Sequence, residues 1–192
     1  MLPGSPATPN PRIGCIVLAA GSSMRFGSDK RLFRLPSGKS LLQQTLENLH
    51  PLFQKRLLVL RPDDQALAMQ YGKDWQVVVA AQAGLGMGHS LAAAMQATRD
   101  WQGAVIALAD MPWVLPASVS RVRDALTPDI LVVPTWQGRR GNPVGIGRDY
   151  FARLAALQGD SGARQLMQEF SGCVVKLEIN DPGLVRDLDV RP

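Results

Sequence analysis

The sequence predicts an α/β fold built on a mostly parallel sheet that is covered on both faces. Apolar runs of strand length alternate with helical stretches from one end of the chain to the other, and several runs are apolar at consecutive positions rather than at every second one. A strand that is apolar throughout must bury both faces, which calls for helices above and below it. The runs cover 13–20, 57–60, 77–80, 104–109, 130–133 and 174–179. Helical stretches lie between them at 41–49, behind a Ser40 cap, and at 64–71, 90–99, 117–126, 150–157 and 163–170. With 192 residues and 46% hydrophobic content, the chain suffices for one substantial core and is too short for two ordinary enzyme domains, so a single domain over 13–192 is expected.

Residues 1–12 carry Pro3, Pro6, Pro9 and Pro11 among small polar residues, a composition that cannot bury enough surface to offset ordering, and a disordered tail is expected there. No window is apolar for long enough to form a membrane helix, and the N-terminus lacks the basic start and apolar core of a signal peptide, so a cytoplasmic location is expected. Cys15 and Cys173 sit in apolar runs with no second thiol or histidine at metal-ligand spacing, and are expected to be buried free thiols. The formal net charge of +5 favours a polyanionic partner. Nucleic-acid modules cluster basic residues with exposed aromatics; here Lys and Arg are scattered and aromatics reach only 6%. A small polyanionic substrate is therefore expected, with no nucleic acid and no membrane as partner.

The first apolar run ends in Leu18-Ala19-Ala20-Gly21-Ser22-Ser23-Met24-Arg25-Phe26-Gly27-Ser28-Asp29-Lys30. Small residues let the backbone approach a polyanion so that the N–H groups from Ala20 to Ser23 can donate to phosphate oxygens, and Arg25 and Lys30 add charge-assisted bonds. The pattern lacks the Gly-Lys-Ser/Thr of a Walker A loop and the three-glycine spacing of a dinucleotide fingerprint. In an open α/β sheet, ligands gather beyond the carboxyl ends of the strands, where this turn and Asp110 both fall. Asp110-Met111-Pro112 closes an uncharged run, so its carboxylate wants a counterion, and Mg²⁺ held by one or two carboxylates plus substrate phosphates fits. The alternative is that Asp110 caps the helix starting near Pro116 or begins a proline turn. Gly84-Leu85-Gly86-Met87-Gly88-His89-Ser90 joins a strand to a helix, where Gly86, Gly88 and Ser90 could approach a base or ribose; a tight turn with no ligand is the alternative.

The turn after the first strand resembles the Leu-Ala-Ala-Gly-x-Ser-x-Arg-Met-Gly-x-x-Lys signature of the MobA-like nucleotidyltransferases, which load CMP or GMP onto molybdopterin; Phe26 stands where Met is common. Further matches follow in the same order: Gly86-Met87-Gly88-His89-Ser90-Leu91, Asp110-Met111-Pro112, Gly141-Asn142-Pro143-Val144, Gly159-Asp160-Ser161-Gly162-Ala163-Arg164 and Asp187-Leu188-Asp189. The resemblance implies the single-domain, three-layer, mostly parallel mixed-sheet fold of nucleotide-diphosphate-sugar transferases. It implies a nucleotide site at Leu18, Ala19, Ala20, Gly21, Ser22, Ser23, Gly86, Gly88 and Ser90, with Arg25, Lys30 and Asp110 catalytic. It also implies an acceptor site at Asn142, Pro143, Gly159, Asp160, Gly162 and Arg164. A second Mg²⁺ carboxylate should come from the C-terminal segment, Asp189 being favoured over Asp187. That segment departs from the family's Asp-Ile-Asp-Thr-Pro-Glu-Asp, because Val190-Arg191-Pro192 follows, and two solvated C-terminal charges are the alternative. Arg139 and Arg140 read equally as acceptor contacts or as an ordinary hairpin tip.

The implied substrates are a nucleoside triphosphate, with CTP favoured, and a molybdopterin-type cofactor; a molybdoenzyme or a maturation chaperone would be the protein partner. CTP is favoured because the motif reads Leu-Ala-Ala-Gly, as the cytidylyltransferases tend to, where guanylyltransferases have Leu-Ala-Gly-Gly, and a Cβ at Ala20 narrows the space for a purine. A guanylyltransferase, a transferase with another phosphate acceptor, and a non-catalytic cofactor-delivery protein are the competing readings.

Overall fold

The computed structural model describes residues 12–21, 26, 28–160 and 162–187. Of the expected tail only Arg12 falls within it, and its carbonyl accepts from the Gln102 N–H at 2.8 Å. Among the described residues, a mixed sheet of eight strands carries the fold: β1 (Ile13–Leu18), β2 (Arg56–Leu60), β3 (Gln76–Val79), β4 (Gly103–Leu108), β5 (Leu131–Trp136), β6 (Arg139–Arg140), β7 (Val144–Gly147) and β8 (Val174–Glu178). The path runs β3-β2-β1-β4-β7-β5-β6, and β8 also pairs with β5. β1 lies parallel to both β2 and β4, and β8 lies parallel to β5. β7 is antiparallel to β4 and β5, which makes the sheet mixed.

Six α-helices cover it: α1 (Leu41–Leu49), α2 (Gln65–Tyr71), α3 (Met87–Met95), α4 (Pro116–Asp124), α5 (Phe151–Ala155) and α6 (Ala163–Glu169). The alternation of side chains along a strand divides them into layers. Cys15, Val17 and Ala19 pack with Leu42 and Leu46 of α1, Leu67 of α2 and Val119 of α4. Ile16, Leu18 and Ala20 pack with Leu91 of α3, Leu154 of α5 and Leu166 of α6. The expected three-layer sandwich is therefore observed, with β1 at its centre and all six of its residues buried. Each fully buried Leu or Ile contributes roughly 1.5–3 kcal/mol through removal of apolar surface from water.

The differences from the sequence reading have local causes. β6 and β7 were not expected, because β6 is two exposed arginines and β7 is four residues, two of them glycine, too short to show a strand period. Arg139 and Arg140 form the return arm of a hairpin whose tip is Gln137-Gly138. α3 starts at Met87 rather than at Ser90, because Gly86, at φ +124, breaks the chain one residue before it. Ser40 caps α1 as expected, its hydroxyl accepting from the Gln43 N–H at 3.1 Å. Cys15 is buried, and burial raises its thiol pKa far above the usual range. Cys173 corrects the expectation of two buried thiols: it is exposed, in the turn before β8, where the sheet ends and most side chains face solvent.

Gly14 marks the tightest contact of the inner strand, since a Cβ built there would lie 2.2 Å from the ring of Trp101. Gly14→Ala should lower stability by about 1–3 kcal/mol, through overpacking at the amino end of β1, as read from the midpoint of urea unfolding.

Candidate functional site

Two of the expected catalytic side chains meet at the carboxyl ends of the central strands. β1 and β4 pair in register from Ile13 opposite Gly103 to Leu18 opposite Leu108, and the Ala109 N–H continues the ladder to the Leu18 carbonyl at 3.2 Å. Asp110 follows at once. Its Oδ2 lies 2.5 Å from Lys30 Nζ, with the side chains only 19% and 13% exposed. Its Oδ1 is buried and has no hydrogen-bond partner among the described residues. The helix starting at Pro116 has Leu115 at its cap position without a side-chain bond, so Asp110 does not cap it.

Helix α1 holds this carboxylate in place through residues that the motifs did not reveal. The Thr45 hydroxyl reaches the Ala109 carbonyl at 3.2 Å, and Asn48 Nδ2 donates to the Pro112 carbonyl at 2.9 Å. Asp110 is thus bracketed by anchored residues on either side.

Arg31, next to Lys30, was also missed by motif matching. It is 4% exposed and uses its whole guanidinium fork. Nη1 donates to the Ala19 carbonyl at 2.6 Å and to Asp64 Oδ2 at 2.5 Å, Nη2 to Asp29 Oδ2 and Asp64 Oδ1, and Nε to Asp29 Oδ1 at 2.9 Å. Arg61 closes the cluster on the same two aspartates. Asp64 stands at the cap position of α2, yet its carboxylate turns to the arginines instead of capping the helix. Hydrogen bonding from Arg31 is the main reason the Asp29 carboxyl ionises below its ordinary range. At Asp64 burial opposes ionisation, but bonds from Arg31 and Arg61 outweigh it and hold the carboxyl well below that range.

The glycine-rich loops of the two halves touch. The Gly88 N–H donates to the Gly159 carbonyl at 2.9 Å, and a Cβ at Gly86 would lie 2.2 Å from the same carbonyl. A Cβ at Gly162 would meet Met87 Sδ at 3.0 Å. Gly86, Gly88, Gly159 and Gly162 thus form one surface, beside which Ser90 is buried while Asp160 and Arg164 are exposed. Asn142, half-buried, donates its N–H to the Leu184 carbonyl at 2.9 Å and precedes Pro143 through a cis peptide. That contact leads into the C-terminal segment, which is pinned to the stretch after Asp110. Buried Asp181 accepts from the Leu115 N–H at 2.9 Å and the Ser118 hydroxyl at 2.7 Å, and the Arg186 guanidinium stacks 4.0 Å from the centre of the Trp113 ring. Asp187 follows, exposed. Ser22, Ser23, Arg25 and Asp189 lie outside the described residues, while Gly21 is exposed at the end of the described β1 turn.

A family model described as the MobA-like NTP transferase domain matches residues 15–174. The chain belongs to the MobA-like NTP transferase family. Its fold is that of Rv0371c from Mycobacterium tuberculosis, with 28% identity over 93% of each chain and a TM-score of 0.78. A second structure of Rv0371c, in complex with manganese, is 27% identical over 88% of each chain at a TM-score of 0.73. A nucleotidyl transferase from Methanothermobacter shares the fold at 20% identity over 93% of this chain and 92% of its own, with a TM-score of 0.79. A comparison with curated proteins gives no match.

In this NTP transferase the Arg31 cluster ties the start of the turn after β1 to the residues that follow β2. Removing the guanidinium would leave two carboxylates without their main partner, so Arg31→Ala should cost about 3–5 kcal/mol of stability at pH 7 in urea unfolding. Asp29 and Asp64 ionise more readily folded than unfolded, so they stabilise the fold above the unfolded carboxylate pKa of about 4 and lose that effect as pH falls below it. The acid limb of the stability curve should flatten in Arg31→Ala.

Proposed function

We propose that this NTP transferase moves CMP from CTP to the terminal phosphate of molybdenum-bound molybdopterin and releases pyrophosphate. The observation that carries the reading is the Lys30–Asp110 contact at the adjoining ends of β1 and β4, directly beside the phosphate turn. A cation and an acid at that crevice suit a reaction in which polyphosphate must be both held and released.

An acceptor phosphate oxygen attacks the α-phosphorus of CTP, a new phosphorus–oxygen bond forms, and the bond to the bridging oxygen breaks with its electron pair leaving on pyrophosphate. The acceptor is already anionic, so no general base is required of the chain. The N–H groups from Ala20 to Ser23 would cradle the polyphosphate, and Arg25 and Lys30 would meet the charge that grows on the leaving group. Gly86, Gly88 and Ser90 would receive base and ribose, with Leu18 and Ala19 fixing where the turn begins. Asn142, Pro143, Gly159, Asp160, Gly162 and Arg164 would receive the acceptor. The contact between Gly88 and Gly159 supports this reading, because transfer between two substrates requires that they be held side by side.

The residues suit a divalent cation. Asp110 offers a hard oxygen donor whose Oδ1 is buried without a partner among the described residues, and Asp189 or Asp187 would supply the second carboxylate, Asp189 lying outside the described residues. Among the described residues no group of three or more His, Cys, Asp or Glu is placed to hold a metal alone, so the remaining ligands would come from substrate phosphates and water. Asp110 would hold Mg²⁺, whose chemistry there would be neutralisation of negative charge on the substrate phosphates. Manganese in the Rv0371c structure is consistent with this site class. Among the described residues no helix is long and apolar enough to cross a membrane, in keeping with a cytoplasmic enzyme acting on small substrates.

Pyrophosphate release from CTP with Mg²⁺ and molybdenum cofactor tests the reaction directly. Asp110→Asn keeps the shape and removes the charge, so kcat should fall by about three orders of magnitude with the fold intact, whereas near wild-type turnover at saturating Mg²⁺ would reject the metal assignment.

Ala20 is buried against the α3 side of the sheet, at the position where guanylyl-specific relatives carry glycine. Ala20→Gly should raise kcat/KM for GTP relative to CTP by about tenfold, the scale of one methyl group in a pocket. A competition assay scores the ratio; a wild-type preference for GTP would overturn the choice of CTP.

A further inference from the structure

The proposed reaction needs Lys30 and Asp110 in two roles that their contact does not allow together. Asp110 must hold a divalent cation, and Lys30 must meet pyrophosphate as it leaves; yet Lys30 Nζ sits 2.5 Å from Asp110 Oδ2. An ammonium and a dication on one carboxylate are close enough to repel, and side chains only 13% and 19% exposed leave little water to screen them. We propose that Lys30 and the divalent cation contend for Asp110, and that Lys30 leaves the carboxylate for the nucleotide's phosphates when metal and nucleotide bind together. The inference rests on the reading of Asp110 as a metal ligand.

The surroundings confine this exchange to one side chain. The backbone at Lys30 is locked on both sides, since Asp29 and Arg31 belong to the buried ion cluster, and the Lys30 carbonyl accepts from the Phe33 N–H at 3.1 Å. Asp110 is locked by the bonds from Thr45 and Asn48 to its neighbours. The group able to change partner is the ammonium at the end of the flexible four-carbon stem of Lys30. While its ammonium neutralises Asp110, the carboxylate attracts a cation weakly. Phosphates that draw the ammonium away release the carboxylate. Metal and nucleotide should then bind with positive coupling, each improving the affinity of the other by the same factor.

The test is Mn²⁺ binding to the full chain, followed by electron paramagnetic resonance, with and without a non-hydrolysable CTP analogue. Wild type, Lys30→Met, Lys30→Gln and Asp110→Asn are compared, with circular dichroism as the check on folding. Both Lys30 variants should bind Mn²⁺ alone about tenfold more tightly than wild type, because the competing charge is gone, and the analogue should improve Mn²⁺ affinity less than in wild type. Unchanged or weaker Mn²⁺ affinity in both Lys30 variants, with binding lost in Asp110→Asn, overturns the competition and leaves Asp110 as a ligand. Undiminished binding in Asp110→Asn overturns the assignment of Asp110, and the inference with it. Failure of wild type and both Lys30 variants to bind Mn²⁺ alone overturns the competition as well, since removing the competitor must unmask the site.

Discussion

The parallel pairing of β1 with β4 is the constraint on which the site depends. In this register the turn after β1 and Asp110 leave neighbouring strands at the same level, so residues eighty positions apart in the chain (Lys30 and Asp110) come within an ion-pair distance. A shift of either strand by one residue would exchange the faces of its side chains and turn Ala19 and Ala20 into the wrong layers. The burial of every β1 residue makes such a slip costly, so the packing of both cores secures the chemistry at the strand ends.

Two kinds of charge stand side by side there. The Asp29–Arg31–Asp64–Arg61 cluster balances two cations against two carboxylates and satisfies the guanidinium of Arg31, which suits it to fix the shape of the backbone at Ala19. Lys30 and Asp110 form an ion pair in which the other carboxylate oxygen has no partner among the described residues. Geometry is held by the saturated cluster, while the unsaturated pair retains the capacity to take another partner. The separation follows from the donors themselves: a planar fork with fixed directions beside a flexible point charge.

The second half of the chain contributes through contacts between loops. Gly86 and Gly159 approach so closely that neither a Cβ nor an ordinary backbone path would fit at Gly86, which makes the loops after β3 and before α6 one wall. Asp181 and Arg186 bind the C-terminal segment onto residues 113–118, and Asn142 meets that segment at Leu184. Loops far apart in the chain are thereby joined in two places, at Gly86 with Gly159 and at the C-terminal segment with residues 113–118.

The sequence by itself determined the α/β class, six of the eight described strands and the approximate helices, because an apolar run of strand or helix length is a local property. It also marked Asp110, a lone carboxylate closing an uncharged run, and Lys30, a cation in the small-residue turn after the first strand. β7 escaped notice because a four-residue strand with two glycines has no period of its own and exists only through pairing with β4 and β5. Arg31, Asp64, Thr45, Asn48 and Asp181 look like ordinary surface residues in the sequence; folding alone brings their partners to them. The exposure of Cys173 was likewise decided by the tertiary structure, because an apolar run at the margin of a sheet reads the same as one at its centre. Local pattern reports what a residue prefers, and only the packed chain decides which distant group will meet it.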